Sequence, residues 1–147
     1  MNYTPQILRF ISVAAITTCI AFFSYHPAHA NSARGRDQLR KVGRFKTLVT
    51  AYCPCRKCCG RDANGVTSTG RNAFRYQGVA ADPKAIPYGR YVRIPGVGFR
   101  KVDDTGGAMR QSWRKKGIVH LDLRFRQHKE ALNWGRRWMF VDVFTRN

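Results

Sequence analysis

Gly78-Val79-Ala80-Ala81-Asp82-Pro83-Lys84-Ala85-Ile86-Pro87-Tyr88-Gly89-Arg90-Tyr91-Val92-Arg93-Ile94 is the stretch that decides the fold class. Its two apolar runs, Gly78 to Ala81 and Tyr91 to Ile94, are too short for helices and have the Val, Ile and Tyr content of strands. Between them, Asp82-Pro83 and Ile86-Pro87-Tyr88-Gly89 are turn sequences, because Pro presets φ and Gly tolerates a positive one. The same alternation of short run and punctuation extends in both directions. Phe45 to Tyr52, Lys101 to Asp103, Val119 to Phe125 and Trp138 to Phe144 read as strands, with Asn64-Gly65 and Pro95-Gly96-Val97-Gly98 among the junctions. One short helix is predicted at about Arg126 to Trp134, with Ala131, Leu132 and Trp134 on or near one face and Gly135 as its stop. Many short strands with one helix before the last predict a mainly β protein, built as a small closed or half-closed barrel.

The strands begin well inside the chain. Arg9, a mostly apolar run from Phe10 to Tyr25, and Ala28-His29-Ala30 before polar Asn31 have the order of a secretory signal peptide. The run is broken by Ser12, Thr17, Thr18 and Ser24, which disfavours an uncleaved span of about 20 apolar residues. The expected organisation is a signal peptide at 1–30, a basic flexible arm at 31–44 and one domain at 45–147, exported to the periplasm or beyond. The chain carries 27 Lys and Arg against 8 Asp and Glu. Such a balance draws a protein to polyanions. Basic residues mixed with Phe74, Tyr76, Tyr88 and Tyr91 would suit nucleic acid, but export directs the expectation away from nucleic acid and toward peptidoglycan and anionic wall polymers. The protein is expected to act as a monomer without a cofactor.

Of the five cysteines, Cys19 lies in the signal segment, and Cys53, Cys55, Cys58 and Cys59 share the run Tyr52-Cys53-Pro54-Cys55-Arg56-Lys57-Cys58-Cys59-Gly60. In an exported domain an even number reads first as disulfides. Crossed or nested pairings would staple a knob after the first strand; pairing Cys53 with Cys55 and Cys58 with Cys59 closes loops too short for relaxed geometry. A four-thiolate zinc site is the competing reading, disfavoured because the long spacer between two CxxC pairs is missing. Two disulfides and no metal are therefore expected. No His stands nearby in the sequence to activate a nucleophilic thiol.

Three of the few carboxylates sit in ordered settings: Asp82 before Pro83, Asp104 before Thr105-Gly106-Gly107-Ala108-Met109, and Asp122 inside Val119-His120-Leu121-Asp122-Leu123-Arg124-Phe125. Glycines after a strand let a ligand approach the backbone closely. An acid within an apolar strand is expensive unless paired or functional.

Together with Thr47-Leu48-Val49-Thr50-Ala51-Tyr52, the CPCxxCCG knob, Thr67-Ser68-Thr69-Gly70 and Ala131-Leu132-Asn133-Trp134-Gly135, these segments resemble, in the same order, the 3D domain, a family named for three aspartates. The resemblance runs from about Thr47 to Val143. It implies a six-stranded double-psi β-barrel, shared with membrane-bound lytic transglycosylase A and stationary-phase wall proteins, and cleavage of the peptidoglycan glycan strand without water. On this resemblance the three aspartates fall on Asp82, Asp104 and Asp122, with Asp122 the candidate acid/base and Asp104 its catalytic neighbour. Asp103 is an extra residue expected on the other face of its strand. Asp82, Thr67, Thr69, Gly106, Gly107 and Trp113 become candidate glycan contacts.

Ordinary structural roles compete with each. Asp82 can start a turn, Asp104 can cap the Thr105-Gly106-Gly107 turn, and Thr67 and Thr69 can form a Ser/Thr turn. Asp122 can be neutralised by Arg124 or Arg126, which would leave a non-catalytic wall-binding or morphogenetic module. His120 and His128 are expected to pack or solvate, and Trp134 and Trp138 to join the core, with Trp113 the surface candidate for stacking on sugar. Between Met109 and Asp122 a segment with Trp113 and four basic residues replaces the shorter link usual in the family.

Overall fold

A computed structural model of the chain describes residues 39–61 and 63–147. Its six strands are β1 (Leu39–Tyr52), β2 (Gly78–Ala80), β3 (Tyr91–Ile94), β4 (Gly98–Asp104), β5 (Val119–Arg124) and β6 (Arg137–Arg146). They close into a barrel in the order β1-β5-β2-β4-β3-β6. Two neighbouring pairs, β1 with β5 and β2 with β4, are parallel; the rest are antiparallel. The mainly β, six-stranded closed barrel expected from the sequence is thus the observed architecture.

Alternation along the strands fills the barrel. Val49, Val79, Val102, Leu121, Leu123 and Val141 are fully buried in one cluster, each contributing roughly 1.5–3 kcal/mol of apolar burial. On β5 His120, Asp122 and Arg124 alternate with the core residues Val119, Leu121 and Leu123 and take the opposite face, where they are buried or half-buried. This polar row carries the site.

The start of the first strand differs from expectation. β1 begins at Leu39, so residues 39–44, expected in the arm, pair with β6 out to Leu39 opposite Arg146. Strand pairing needs only the backbone, and the surplus charge is met by Asp142, 2.6 Å from Lys41 and 2.7 Å from Arg93. The signal segment and residues 31–38 of the arm lie outside the described residues. Among the described residues no helix is long and apolar enough to cross a membrane.

Among the described residues three short helices are present where one was expected: α1 (Arg56–Cys59), α2 (Gly107–Lys116) and α3 (His128–Trp134). α3 is the expected helix, closed at its start by reciprocal bonds between Gln127 and Glu130. α2 occupies the basic segment before Asp122. Met109 is buried and Trp113, one turn on, packs against the barrel core, while the basic side chains take the solvent face. Gly117 ends the helix at φ 62°, its N–H bonded to the Trp113 carbonyl, a left-handed cap that suits Gly. Trp113 is therefore a core-packing residue and not the surface platform expected. The assignments are reversed for Trp138, which is about half exposed on β6 with Lys46 over its ring, whereas Trp134 packs on Phe125 as expected.

Candidate functional site

The strand register places four residues in one row. Thr50 on β1 pairs with Asp122 on β5, Asp122 pairs with Ala80 on β2, and Ala80 pairs with Asp104 on β4. Residues paired across neighbouring strands share a face, so both carboxylates flank the small side chain of Ala80. Above this row opens a cleft of about 400 Å³, whose lining includes Asp104, Asp122, Gly106, Gly107, Tyr52, Pro54 and Cys58. The register shifts between Val79 and Ala80 as β4 runs through Asp103. Such a bulge re-aims side chains, and here it separates two consecutive aspartates into different roles.

Asp103 is turned away into a buried ion pair. Both its oxygens accept from Arg124 Nη2, at 2.8 and 2.7 Å, and Arg124 also donates to the Tyr52 hydroxyl and the Tyr76 carbonyl. A Cβ at Gly78 would collide with both members of the pair, so glycine is needed here for close approach rather than for its φ. Asp104 Oδ1 accepts from the backbone and hydroxyl of Ser68 and from the Thr105 amide, and Oδ2 accepts from the Tyr52 hydroxyl at 2.6 Å. Burial alone would raise its pKa, but these donors outweigh it and hold the carboxyl below the usual range. Burial pushes the Tyr52 phenol far up despite the nearby Arg124 cation, so it is a fixed neutral donor to Asp104.

Asp122 has the opposite environment. Burial, helped by the charge of Asp104, raises its pKa against the bond from Thr50. Among the described residues it forms no salt bridge, because Arg124 is engaged with Asp103 and Tyr52. Among the described residues its one side-chain donor is the Thr50 hydroxyl, 2.7 Å from Oδ1. That hydroxyl has a single proton, so it accepts from His120 Nε2 at 2.9 Å, and the other ring nitrogen, Nδ1, accepts from the Ser112 hydroxyl at 3.1 Å. Burial, then the Arg136 charge, lower the His120 pKa against a bond to the Ala108 backbone, and the net shift favours the neutral ring. The chain Ser112, His120, Thr50 thus fixes the Asp122 carboxyl from behind while Asp122 lines the cleft.

The other sequence candidates divide. Gly106 and Gly107 line the cleft, at the entry to α2. Asp82 does not: its Oδ1 caps the turn at the Lys84 amide and its carbonyl accepts from Ala85 and Ile86, so the turn-starting role holds. Thr67 and Thr69 bond each other, and Thr69 donates to the Asp103 carbonyl. Both brace the loop whose Ser68 reaches Asp104. Thr50, Tyr52 and Ser68 stand in the quoted motifs without having been assigned a role; the i, i+2 spacing of Thr50 and Tyr52 on a strand was the available signal. His120 does more than pack.

The two disulfides expected of the knob are not formed: Cys53, Cys55, Cys58 and Cys59 are all free thiols. Cys59 turns away to donate to the Cys53 carbonyl. The other three sulfurs converge on His128, which is remote in sequence but stands at the first position of α3.

No protein-family model matches the chain. Over 106 residues it is 30% identical to YabE of Bacillus subtilis (strain 168), a proposed cell wall shaping protein; the alignment takes in 71% of this chain and 24% of YabE, so the chain spans about a quarter of that relative's length.

Proposed function

We propose that this protein is an exported, 3D-domain enzyme of the cell wall that cleaves the glycan strand of peptidoglycan in the manner of a lytic transglycosylase, with Asp122 as its acid/base. The observation that carries the reading is Asp122 itself: a cleft-lining carboxyl held by Thr50, without a cationic partner among the described residues, and with its pKa raised by burial. A carboxyl shifted in that direction favours the protonated form that a general acid needs. The similarity to a proposed cell wall shaping protein supports the substrate class, as does a net charge of +19 toward an acidic wall.

Protonated Asp122 gives its proton to the glycosidic oxygen as the bond to the anomeric carbon breaks, leaving an oxocarbenium-like sugar. The resulting carboxylate then takes the proton of that sugar's own primary hydroxyl, whose oxygen bonds to the anomeric carbon and closes an anhydro ring. Asp122 ends protonated, and no water is consumed. Asp104, ionised and held by Tyr52, Ser68 and Thr105, contributes negative charge that opposes ionisation of Asp122 and favours the cationic sugar. Digestion of purified sacculi with mass analysis of the released fragments tests the reading. Anhydro-muropeptides are the expected product. Release of hydrolysed ends only, or of nothing by a protein that still binds sacculi, would replace it with hydrolysis or with a non-catalytic wall-binding module.

Thr50→Val tests the positioning of the acid. Losing the donor removes the one bond that favours the carboxylate, so the Asp122 pKa should rise further and the alkaline limb of the pH–rate profile should move to higher pH. Stability should fall by about 1–3 kcal/mol, since His120 Nε2 loses its partner. An alkaline limb that stays in place would remove Thr50 from this role.

A further inference from the structure

Cys53, Cys55, Cys58 and His128 each offer one ligand atom, and these atoms all lie within 4.8 Å of one another. Cys53 and Cys55 bracket Pro54 at the end of β1, Cys58 follows in α1, and His128 arrives from the start of α3, beyond β5. Amides of Cys58 and Cys59 both bond the Cys55 carbonyl and hold the turn closed. His128 Nδ1 is 3.3 Å from Cys58 Sγ and 3.7 Å from the sulfurs of Cys53 and Cys55, and Cys53 Sγ is 3.5 Å from Cys58 Sγ. A tetrahedral site with metal–sulfur bonds of about 2.3 Å and a metal–nitrogen bond of about 2.0–2.1 Å has ligand–ligand edges of roughly 3.5–3.8 Å. Of the six edges four lie near that range; Cys53 to Cys55 is 2.8 Å and opens by about 1 Å to match it, and Cys55 to Cys58 lies within 4.8 Å.

We propose that these four residues form a structural zinc site, Zn(II) bound by three thiolates and the Nδ1 of a neutral imidazole. Binding releases the three thiol protons and leaves a complex of charge −1, beside the basic Arg56 and Lys57 of α1. Three soft sulfurs and one imidazole in a tetrahedral array select zinc over hard, oxygen-seeking cations. With all four positions supplied by the protein, no place remains for a reacting water, so the role is structural. The metal ties the end of β1 to α3 and fixes Pro54 and Cys58, which line the cleft together with Asp122. The site does not depend on what chemistry that cleft performs. It also explains why Cys59 is apart: its thiol is bonded to a backbone carbonyl instead.

The test is metal content of the full chain, purified without chelator and measured by inductively coupled plasma mass spectrometry alongside the mass of the alkylated protein. About one zinc per chain is expected, together with thiols at Cys53, Cys55 and Cys58 that alkylate only after denaturation with chelator. Cobalt(II) exchanged into the same protein should give the intense visible absorption of a tetrahedral thiolate site, which reports the ligands without any substitution. Cys55→Ser and His128→Ala should each retain zinc at least tenfold more weakly, whereas Cys59→Ser should keep about one equivalent. Metal-free protein two hydrogens lighter than its reduced form, with Cys53 linked to Cys55, would overturn the proposal, as would undiminished zinc in a folded His128→Ala.

Discussion

Asp122→Asn is expected to abolish glycan-strand cleavage, with a loss of about 10²–10⁴-fold in rate for removal of a general acid–base step, while the barrel stays folded and sacculi are still bound. Asparagine keeps the shape of the side chain and can still accept from Thr50, so the row from Ser112 through His120 is preserved. What it lacks is a proton that can be given and recovered. A second readout separates loss of chemistry from loss of structure. Burial, and then the charge of Asp104, raise the Asp122 pKa in the folded protein, so its ionisation opposes folding. The favourable contribution of the protonated group is complete below the unfolded carboxyl range and is lost as pH rises through the raised folded value. Asn does not ionise, so the variant should melt at a higher temperature than the parent near neutrality, with the difference closing in acid. Thermal melts across pH and sacculus digests check the two halves. Parent-rate release of anhydro-muropeptides by a folded Asp122→Asn would end the assignment of Asp122.

The barrel was legible because its evidence is local. Runs such as Tyr91 to Ile94 and the turn residues around Pro87 and Gly96 announce strands and corners without reference to the rest of the chain. Where the sequence misled, the missing information was tertiary. Residues 39–44 are too basic to read as a strand alone, and become one because β6 is long enough to pair with them and carries Asp142 opposite the charges. α2 was hidden by the glycines at its start and by four basic residues, while its two inward residues, Met109 and Trp113, fit one helical turn. The site divides in the same way. Asp104 and Asp122 could be singled out as rare acids in ordered settings, but the register that puts both beside Ala80 is a property of four strands. His128 lies some seventy positions from the knob, and no spacing rule within Cys53 to Cys59 can point to it.

Arg124→Met is expected to cost about 3–5 kcal/mol of stability, because it leaves Asp103 as a buried charge without its principal partner. Asp103 is 2% exposed and Arg124 1%, and both oxygens of the carboxylate take their hydrogen bonds from that guanidinium. Arg71 cannot replace it: its Nε stands 3.5 Å from Asp103 Oδ2, and its side chain is itself partly in solvent. The same substitution removes donors to the Tyr76 carbonyl and to the Tyr52 hydroxyl, and the Tyr52 hydroxyl is what donates to Asp104. Loss of Arg124, whose Nη1 is also 3.6 Å from Asp104 Oδ2, should therefore loosen the cleft as well as weaken the barrel, although Arg124 is not among the residues that line it. The partner experiment is Asp103→Leu combined with Arg124→Met, which replaces both charges by apolar groups. That pair should recover most of the loss, since exchanging a whole buried ion pair for apolar side chains is often neutral or stabilising. Denaturant unfolding of the parent, the single variants and the double variant gives the coupling directly. A loss below about 1 kcal/mol in Arg124→Met would be the size expected of an exposed pair, and would mean that the Asp103–Arg124 pair does not tie β4 to β5 across β2, where the row of Thr50, Asp122, Ala80 and Asp104 is built.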